Sequence, residues 1–417
     1  MKRNIIKLTL IFILVVSSIF AGYENPKLVE IPKKYFRFLG KKIGFQDTFL
    51  DQKIEDIGTQ AITEKEQIKH EGNSFSVFLS KVLSYSGNSA SVFISEDDNK
   101  IKHRVFIQEG FEIKENNTSE MNLPFSFYTE KSGGVKSVFL VKNKYFALVS
   151  LKKFSCLYAS IIRLEDSKEI ISSDCLPDSN LADFSGLGGA YIKTDNEVLL
   201  TIGAPEHKSE KISKLAQSKN SIFGKVLLLK KKDLLNYENE EKIIYHIFSL
   251  GHRNPQGLVL HDNKIFSLEH GPQGGDELNE IIEGKNYGWP IVSYGTRYNN
   301  GKSFRGAHSS LKFKEPLFSF LPAIAPSALN ICPKNLLNYY KNNNCLMGLS
   351  LKEMSIIIFL LNKENTRVVS IEKIRLKKRL RHFGLESSGD LFVDNENYFY
   401  ISADGDGLYK VKFDEFR

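Results

Sequence analysis

The sequence predicts an all-β fold and, more closely, a six-bladed β-propeller. Its 417 residues include 30 Phe and 17 Tyr but only four Met and one Trp. Aromatic residues favour strands. A short turn-and-strand motif recurs along the chain, and the last residues alternate between apolar and polar side chains. Together these observations favour a repeated β architecture that closes on itself.

The recurring motif is an Asn followed by a run of apolar or small residues. Its successive spacings are 55, 53, 67, 81 and 53 residues, near the roughly 40 to 50 residues of one propeller blade plus loop insertions. Asn suits a turn, and the apolar run suits an inner strand buried between neighbouring blades. Asn-turn-strand pairs are also common in β proteins rich in Asn and Lys, so that alternative stays open. The six motifs begin at Asn88, Asn143, Asn196, Asn263, Asn344 and Asn397.

The first 21 residues have the layout of a secretory signal peptide. A basic start is followed by the apolar run Leu8 to Phe20 and by the small pair Ala21-Gly22. That run is shorter than the roughly 20 residues of a spanning helix, although Ile19 is a poor residue before a cleavage point and an uncleaved anchor stays open. We expect residues 22–417 to form one exported propeller domain, periplasmic or secreted, without a further membrane span.

The two ends of the expected propeller differ in how clearly they are marked. Gly407 to Phe413 alternates as a half-buried strand does, and a propeller closes by pairing such a strand with material from the N-terminal side. Residues 24–80 hold charged stretches that fit no blade clearly. The first blade is therefore the least defined.

Charge and cysteines exclude some partners. The net charge of +8 includes three positive charges from the leader, and no basic, aromatic-interleaved motif indicates nucleic acid. Four cysteines in an exported chain predict two disulfides. Of the three possible pairings we favour the local one, Cys156 with Cys175 and Cys332 with Cys345. Metal binding by these cysteines is disfavoured because no Cys-x-x-Cys spacing occurs.

Three segments in order carry a family resemblance: Gly251-His-Arg-Asn-Pro-Gln-Gly-Leu258, the stretch Glu269 to Asn279, and Gly284-Lys-Asn-Tyr-Gly-Trp-Pro290. They resemble the soluble sugar dehydrogenases that depend on pyrroloquinoline quinone, the glucose/sorbosone dehydrogenase family. The resemblance extends over roughly residues 130–413. Shorter matches lie at Gly133-Gly134, Ile222 to Val226, Ile324 to Ser327, Ser350 to Lys352 and Arg379 to Arg381.

The resemblance implies a six-bladed propeller that oxidises an aldose sugar or related alcohol. The oxidant would be pyrroloquinoline quinone with Ca²⁺, which makes the chain a quinoprotein oxidoreductase. A quinone with three carboxylates needs fixed positive charge, and Arg supplies paired donors where Lys supplies a point charge. The implied cofactor-binding residues are Arg253, Asn254, Lys352, Arg379 and Arg381.

The same resemblance implies two Ca²⁺ positions. Main-chain carbonyls of Gly271 and Pro272 match the place of the catalytic ion, which would polarise the quinone as a Lewis acid. Asp276, Glu277 and the backbone near Tyr287 are candidates for a second, structural ion. The alternative is that these carboxylates only tie down a loop by hydrogen bonds.

The family's proton-accepting His and the Asp that orients it are missing here. The resemblance aligns the His position with Gly186, the following Arg with Ala190 and the Asp with Ala204. His207 and Asp183 are weak substitutes for a base. We expect His252 and His270 to act as local hydrogen-bonding residues, so the catalytic residue is unknown.

Three hypotheses follow. The first is a periplasmic quinoprotein that oxidises an aldose or alcohol and passes electrons to an acceptor that the sequence does not identify. The second is a catalytically altered propeller that binds carbohydrate, cofactor or a partner without turnover. The third is a purely structural propeller that binds no quinone.

Overall fold

The computed structural model describes residues 70–71, 75–115, 117–206, 210–238, 245–304, 307–341 and 343–414. All of them belong to the compact unit Thr59–Arg417. The predicted signal peptide, residues 1–21, lies outside the described residues. No helix in the described ranges has the length and apolarity that crossing a membrane requires.

The first eleven strands build one part of a nine-stranded sheet and a separate five-stranded sheet. Strands β3 to β6 form an antiparallel meander, and so do β7 to β10, with β11 added beside β9. The strands are β1 (His70–Glu71), β2 (Ser76–Ser84), β3 (Ser89–Asp97), β4 (Lys100–Ile107), β5 (Phe111–Lys114), β6 (Asn117–Glu120), β7 (Val135–Val141), β8 (Lys144–Lys153), β9 (Cys156–Arg163), β10 (Lys168–Ser172) and β11 (Leu176–Pro177).

Two four-stranded antiparallel sheets follow, β12 to β15 and β16 to β19. Short 3-10 helices precede β12 and β14, at Phe184–Gly186 and Ser213–Gln217. The strands are β12 (Gly188–Lys193), β13 (Glu197–Ile202), β14 (Lys225–Lys230), β15 (His246–Leu250), β16 (Pro255–His261), β17 (Lys264–Glu269), β18 (Asp276–Ile281) and β19 (Phe318–Phe320), with helix α1 (Lys231–Asn236) between β14 and β15.

The last strands form a third four-stranded sheet, β20 to β23, and complete the nine-stranded sheet. The strand order of the nine-stranded sheet is β1-β2-β26-β25-β24-β3-β4-β5-β6, and only its strands β24 and β3 pair in parallel. The elements are 3-10 helix Ser309–Leu311, β20 (Pro326–Ile331), α2 (Lys334–Tyr339), β21 (Asn344–Ser350), β22 (Ser355–Leu361), β23 (Val368–Arg375), β24 (Leu380–Leu385), β25 (Phe399–Ala403) and β26 (Gly407–Asp414).

Middle strands of the sheets are nearly continuous apolar runs because both of their faces are covered. Six consecutive residues of β8 are buried, and β22 is buried at every residue but Leu360. One core cluster joins Phe139 and Phe146 of the second sheet to Leu200 and Leu227 of the next. The core therefore lies between successive sheets, and the predicted all-β fold is confirmed.

The Asn repeat marks turns, and its first member differs from the other five. Five motifs, from Asn143 to Asn397, start the second strand of a run, β8, β13, β17, β21 or β25, rather than the first. Asn88 instead precedes a first strand, β3. The equivalent turn is Asp98-Asn99 before β4, where both residues have positive φ, 48° and 59°, as in a type I′ hairpin. Short apolar runs look alike in either strand, so the sequence alone did not distinguish the segment after Asn88 from the one after Asn99.

First strands of successive runs contact one another around the molecule. The contacts run from β3 to β7, β12, β16, β20 and β24, and β24 pairs with β3. Short loops at one end of these strands consequently converge on a common centre. The site described below lies there.

Strand β2 closes the nine-stranded sheet against the chain's last strand. Its register joins Val77 to Phe413 and Leu79 to Val411. The predicted pairing of the final strand with N-terminal material is confirmed. Part of the stretch that fitted no blade supplies the partner strand.

Both predicted disulfides are confirmed. Cys156 is bonded to Cys175 and Cys332 to Cys345, and no free cysteine remains in the described residues. Each bridge joins segments that already lie side by side in one sheet, since Cys156 pairs with Pro177 and Cys332 donates to the Cys345 carbonyl.

Candidate functional site

A cavity of about 320 Å³ lies where the first strands and their loops converge. Its lining comes from residues far apart in sequence, contributed by all of the sheets. The polar and charged lining residues include Asn88, Gln108, Ser132, Lys136, Glu206, Arg253, Asn254, Gln256, His270, Tyr298, Arg379, Arg381 and His382.

Arg253 is a partly buried cation that lines the cavity. Its Nε atom is buried and has no hydrogen-bond partner among the described residues. The guanidinium lies 5.4 Å from the Trp289 ring centroid, and Nη1 donates to the His270 carbonyl at 3.3 Å. Burial lowers the pKa of Arg253, while Tyr298 and nearby carboxylates raise it. A buried cation with an unsatisfied donor gains from an anion in the cavity.

Arg379 and Arg381 also line the cavity, and both lie near Asp404. Arg381 makes two hydrogen bonds to that carboxylate, one of them at 2.6 Å from Nη2 to Oδ2. Arg379 keeps its Nε 3.9 Å from Asp404 and is 59% exposed. Arg381 is therefore held in place by its partner, while Arg379 remains available to a ligand at the cavity mouth.

Asn254 organises the cavity wall. Its Oδ1 accepts hydrogen bonds from the Gly188 N–H at 3.1 Å and from Gln256 Nε2 at 2.9 Å. Its Nδ2 donates to the Ser185 carbonyl at 3.4 Å. The side chain thus fixes the start of β12 against β16.

Of the five cofactor-binding residues predicted from the sequence, four line this cavity together. Lys352 does not: its side chain is exposed, although its backbone N–H bonds the Ile324 carbonyl at 3.2 Å. Leu351, the residue before it, faces the cavity instead.

The wall at Gly186 and Ala204, where the resemblance places the missing base and its partner, is tightly packed. A β-carbon built on Gly186 would lie 2.7 Å from the carbonyl oxygen of Ala204, closer than real β-carbons approach a backbone. Ala204 is buried in a cluster with Ala216, Trp289 and Phe304. This backbone leaves Gly186 no room for a larger side chain.

Asp183, one of the two weak substitutes for the base, already accepts a hydrogen bond. Asp183 caps the short 3-10 helix, where its Oδ1 accepts the Ser185 N–H at 2.8 Å. His207 lies outside the described residues. His252 behaves as predicted, a fully buried histidine bonded to Ser249 at 2.8 Å and Glu269 at 3.3 Å. His270 likewise bonds a backbone oxygen, that of Pro326.

A second, much smaller cavity of about 20 Å³ adjoins Arg253 and His270. That volume suits one water molecule or ion. Three of the predicted metal ligands, Gly271, Glu277 and Tyr287, line it; Pro272 and Asp276 do not.

Two buried carboxylates, Glu269 and Glu277, face this small cavity. Burial raises the pKa of Glu277 well above its usual range, and the negative charge of Glu269 raises it further. A hydrogen bond from Asn279, 3.2 Å from Glu277 Oε2, only partly offsets this. Within the described ranges, no group of three or more His, Cys, Asp and Glu side chains is arranged to hold a metal. Any ion here would need main-chain and hydroxyl oxygens as well.

Asp276 ties two loops together. Its Oδ1 accepts the Gly271 N–H at 2.9 Å, and Oδ2 accepts the N–H groups of Ile324 and Ala325 at 2.7 and 2.8 Å. Three hydrogen bonds occupy a carboxylate whose side chain is buried. The arrangement corresponds to the loop-tying alternative.

The sequence did not single out the lining residues Lys136 and His382. Lys136 is a lone cation within the apolar strand β7, just after Gly133-Gly134, and that position was its only signal. His382 directly follows Arg381; burial and the Arg381 charge lower its pKa to about 3, which keeps the ring neutral.

Comparisons with known proteins give matches in sequence and in structure. A sequence model of the family described as Glucose / Sorbosone dehydrogenase matches residues 159–399. Quinoprotein glucose dehydrogenase B of Acinetobacter calcoaceticus is 43% identical over 77 residues, 18% of this chain and 16% of that protein. Aldose sugar dehydrogenase YliI of Escherichia coli is 38% identical over 93 residues, 21% of this chain and 25% of that protein. An uncharacterized protein of Synechocystis is 36% identical over 148 residues, 33% of this chain and 36% of that protein. The chain thus matches about a third or less of each curated relative.

Solved structures match over a greater length. The soluble aldose sugar dehydrogenase of Escherichia coli, in its apo-form, has a TM-score of 0.62 at 20% identity, covering 81% of this chain and 99% of that one. The PQQ-bound aldose sugar dehydrogenase of Streptomyces coelicolor has a TM-score of 0.51 at 17% identity, covering 81% and 98%. These likenesses show that the fold is shared.

Proposed function

The chain belongs to the glucose/sorbosone dehydrogenase family, and we propose that it is a quinoprotein oxidoreductase that binds pyrroloquinoline quinone in the 320 Å³ cavity. The substrate is an aldose sugar or a related alcohol. The observation that carries the proposal is the buried, unsatisfied Nε of Arg253 in a cavity that Arg379 and Arg381 also line.

The donor set fits an anionic cofactor. In the described lining, Glu206 carries the only carboxylate, and its two oxygens already accept the N–H groups of Lys211 and Ser213. Arginine guanidinium groups bind carboxylates through paired hydrogen bonds. Arg253 and Arg379 would hold the carboxylates of the cofactor, with Arg381 fixed beside them by Asp404.

When bound, the quinone supplies an acceptor for the hydride that leaves the substrate carbon. The chain's own residues bind and orient the reactants. Amide side chains of Gln108, Asn254 and Gln256 line the cavity and present donors and acceptors suited to sugar hydroxyls.

Ca²⁺ forms part of the proposal. Gly271 and Pro272 would offer main-chain carbonyls beside the cofactor, and Glu277 with the backbone near Tyr287 would hold an ion in the small cavity. The small cavity has room for one ion and is lined by two buried carboxylates, and oxygen ligands of this type are those that Ca²⁺ prefers. Asp276 supports the same loop through its three backbone hydrogen bonds.

We further propose that the described sheets form six blades of one domain, residues 22–417, exported after cleavage of the leader. Division of the nine-stranded sheet at the β24–β3 pair gives two blades, and the ring of first-strand contacts supports this division. Export to the periplasm or outside the cell agrees with the two disulfides.

Binding and turnover of the purified protein test the proposal. With Ca²⁺ and pyrroloquinoline quinone added, we expect saturable quinone binding by calorimetry and sugar-dependent dye reduction. Arg253→Met should weaken quinone binding about 10- to 100-fold, since a charge-assisted hydrogen bond is lost. Arg375→Met, at an exposed arginine outside the cavity, is the matched control. Absence of quinone binding to the unaltered protein would contradict the proposal. A separate substitution, Lys352→Ala, shows by its effect on quinone affinity whether that exposed lysine reaches the cofactor.

A second candidate function is binding without turnover. It is favoured by one observation, the packed backbone at Gly186 and Ala204 where the family's proton-accepting pair is absent. Quinone binding with no dye reduction across a panel of aldoses and alcohols would select this alternative.

A further inference from the structure

Lys136 projects into the cavity beside the wall that lacks a base. It lies on β7 and lines the same cavity as Gly186. A β-carbon built on Gly189 would lie 3.0 Å from the Lys136 carbonyl oxygen, so the backbone of β7 packs directly against the altered segment. A neighbouring strand thus brings an amine to the cavity wall where the His is missing.

The amine is free to exchange a proton. Lys136 Nζ donates one hydrogen bond, to the Ser132 carbonyl, and in the described chain no carboxylate lies within ion-pair distance of it. The charges that shift its pKa are those of Arg381, Asp183 and Glu109. An ion pair would hold the ammonium in its charged form, and none does so here.

Burial, together with the positive charge of Arg381, lowers the pKa of Lys136 to about 8, against the opposite effects of Asp183 and Glu109. A lysine with a pKa of about 8 is neutral in about half of the molecules at pH 8. A general base must be neutral before it can accept a proton.

The other titratable groups of the cavity are poor bases. Both oxygens of Glu206 already accept backbone hydrogen bonds. With a pKa of about 3, His382 holds a proton too weakly to act efficiently near neutral pH. His270 bonds the Pro326 carbonyl through Nε2, and burial lowers its pKa.

We infer that Lys136 is the general base of this site and takes the place of the absent histidine. The inference rests on the proposed function. As the substrate's C–H hydrogen leaves with its electron pair for the cofactor, the hydroxyl proton moves to Lys136 Nζ, which becomes an ammonium. The alcohol carbon becomes a carbonyl, and the proton is later released to solvent.

Two substitutions separate a base from a positive charge. Lys136→Met removes both, while Lys136→Arg keeps the charge but cannot accept a proton. We expect each to lower kcat for sugar-dependent dye reduction about 100-fold or more. Lys136→Arg, which keeps the charge, should leave quinone affinity within about twofold of the unaltered protein. Lys131→Arg and Lys131→Met are matched controls, because Lys131 bonds Asp178 and Ser179 outside the cavity; both should keep full activity.

The pH profile gives the second measurement. In the unaltered protein kcat/KM should rise with pH and level off, with an apparent pKa near 8. This rise should be absent in Lys136→Arg. Lys136→Arg with full activity and an unchanged profile would overturn the inference and leave the proposed function standing.

A readout independent of turnover uses the cofactor-free protein. Competitive acetylation by acetic anhydride, followed by mass spectrometry, should give Lys136 a reactivity midpoint near pH 8. A midpoint at the usual lysine value near 10.4 overturns the inference. Quinone binding without any turnover also overturns it, whereas a failure of the quinone to bind shows that the proposed function itself is wrong.

Discussion

A β-carbon on Gly186 would lie 2.7 Å from the Ala204 carbonyl oxygen, and Ala204 itself is enclosed by Trp289 and Phe304. The backbone packs closely around Gly186, the position that the sequence resemblance aligns with the family's histidine. At the residue scale, the change at Gly186 is therefore more than a lost functional group. A histidine at this position would require the 3-10 helix Phe184–Gly186 and the loop after β13 to move apart.

We expect Gly186→His to destabilise the protein by about 1–3 kcal/mol and to give no gain in dye reduction, because the added side chain displaces a backbone carbonyl. Urea unfolding and steady-state assays measure the two effects. Ser185→His is the control, since Ser185 is exposed and should tolerate the same side chain. A stable Gly186→His with raised activity would contradict this account.

At the scale of elements, the pairing of β2 with β26 joins chain segments more than 300 residues apart. Val77 and Leu79 are buried on β2 and share one core cluster with Val411 and Phe413. Because this strand completes the sheet, its apolar contacts should stabilise the closed architecture strongly.

Leu79→Ala tests the importance of this closing strand. Leu79 is 1% exposed, so we expect a loss of about 2–4 kcal/mol in the free energy of unfolding. Ser80→Ala, at the next residue on the more exposed face, should change it by less than about 0.5 kcal/mol. Equal effects of the two substitutions in urea titrations would show that β2 contributes little to stability.

Over the whole molecule, the sheets meet at a centre that holds both cavities. The larger cavity carries excess positive charge, and the smaller one carries the buried pair Glu269 and Glu277. The positive charge attracts an anion, and the carboxylate pair attracts a cation. A ligand that binds only the folded protein stabilises it.

Calcium should consequently raise the melting temperature of the cofactor-free protein. At a concentration 100 times the dissociation constant, the expected gain is about 2.7 kcal/mol. Glu277→Gln should abolish most of this gain, whereas Glu283→Gln, at an exposed carboxylate, should preserve it. Thermal unfolding with and without Ca²⁺ measures both. An undiminished Ca²⁺ response in Glu277→Gln would place the ion elsewhere.

Patterns local in sequence determined much of this protein. Aromatic strands and Asn turns indicated the all-β fold, and short separations favoured the two disulfides. The alternation of Gly407 to Phe413 predicted the closing strand. Contiguous motifs gave the family, and with it Arg253 and Asn254. These features were readable because each depends on turn chemistry, strand period or a fixed motif, all expressed within a few tens of residues.

Tertiary structure alone decided the rest. It assigned the first hairpin to Asn99 instead of Asn88, left the Lys352 side chain exposed and closed the backbone over Gly186. It also brought Lys136 to the cavity. The physical reason is that burial, pKa and the room for a side chain depend on neighbours supplied by other sheets. Residues that are far apart in the chain acquire these properties only when the sheets pack together.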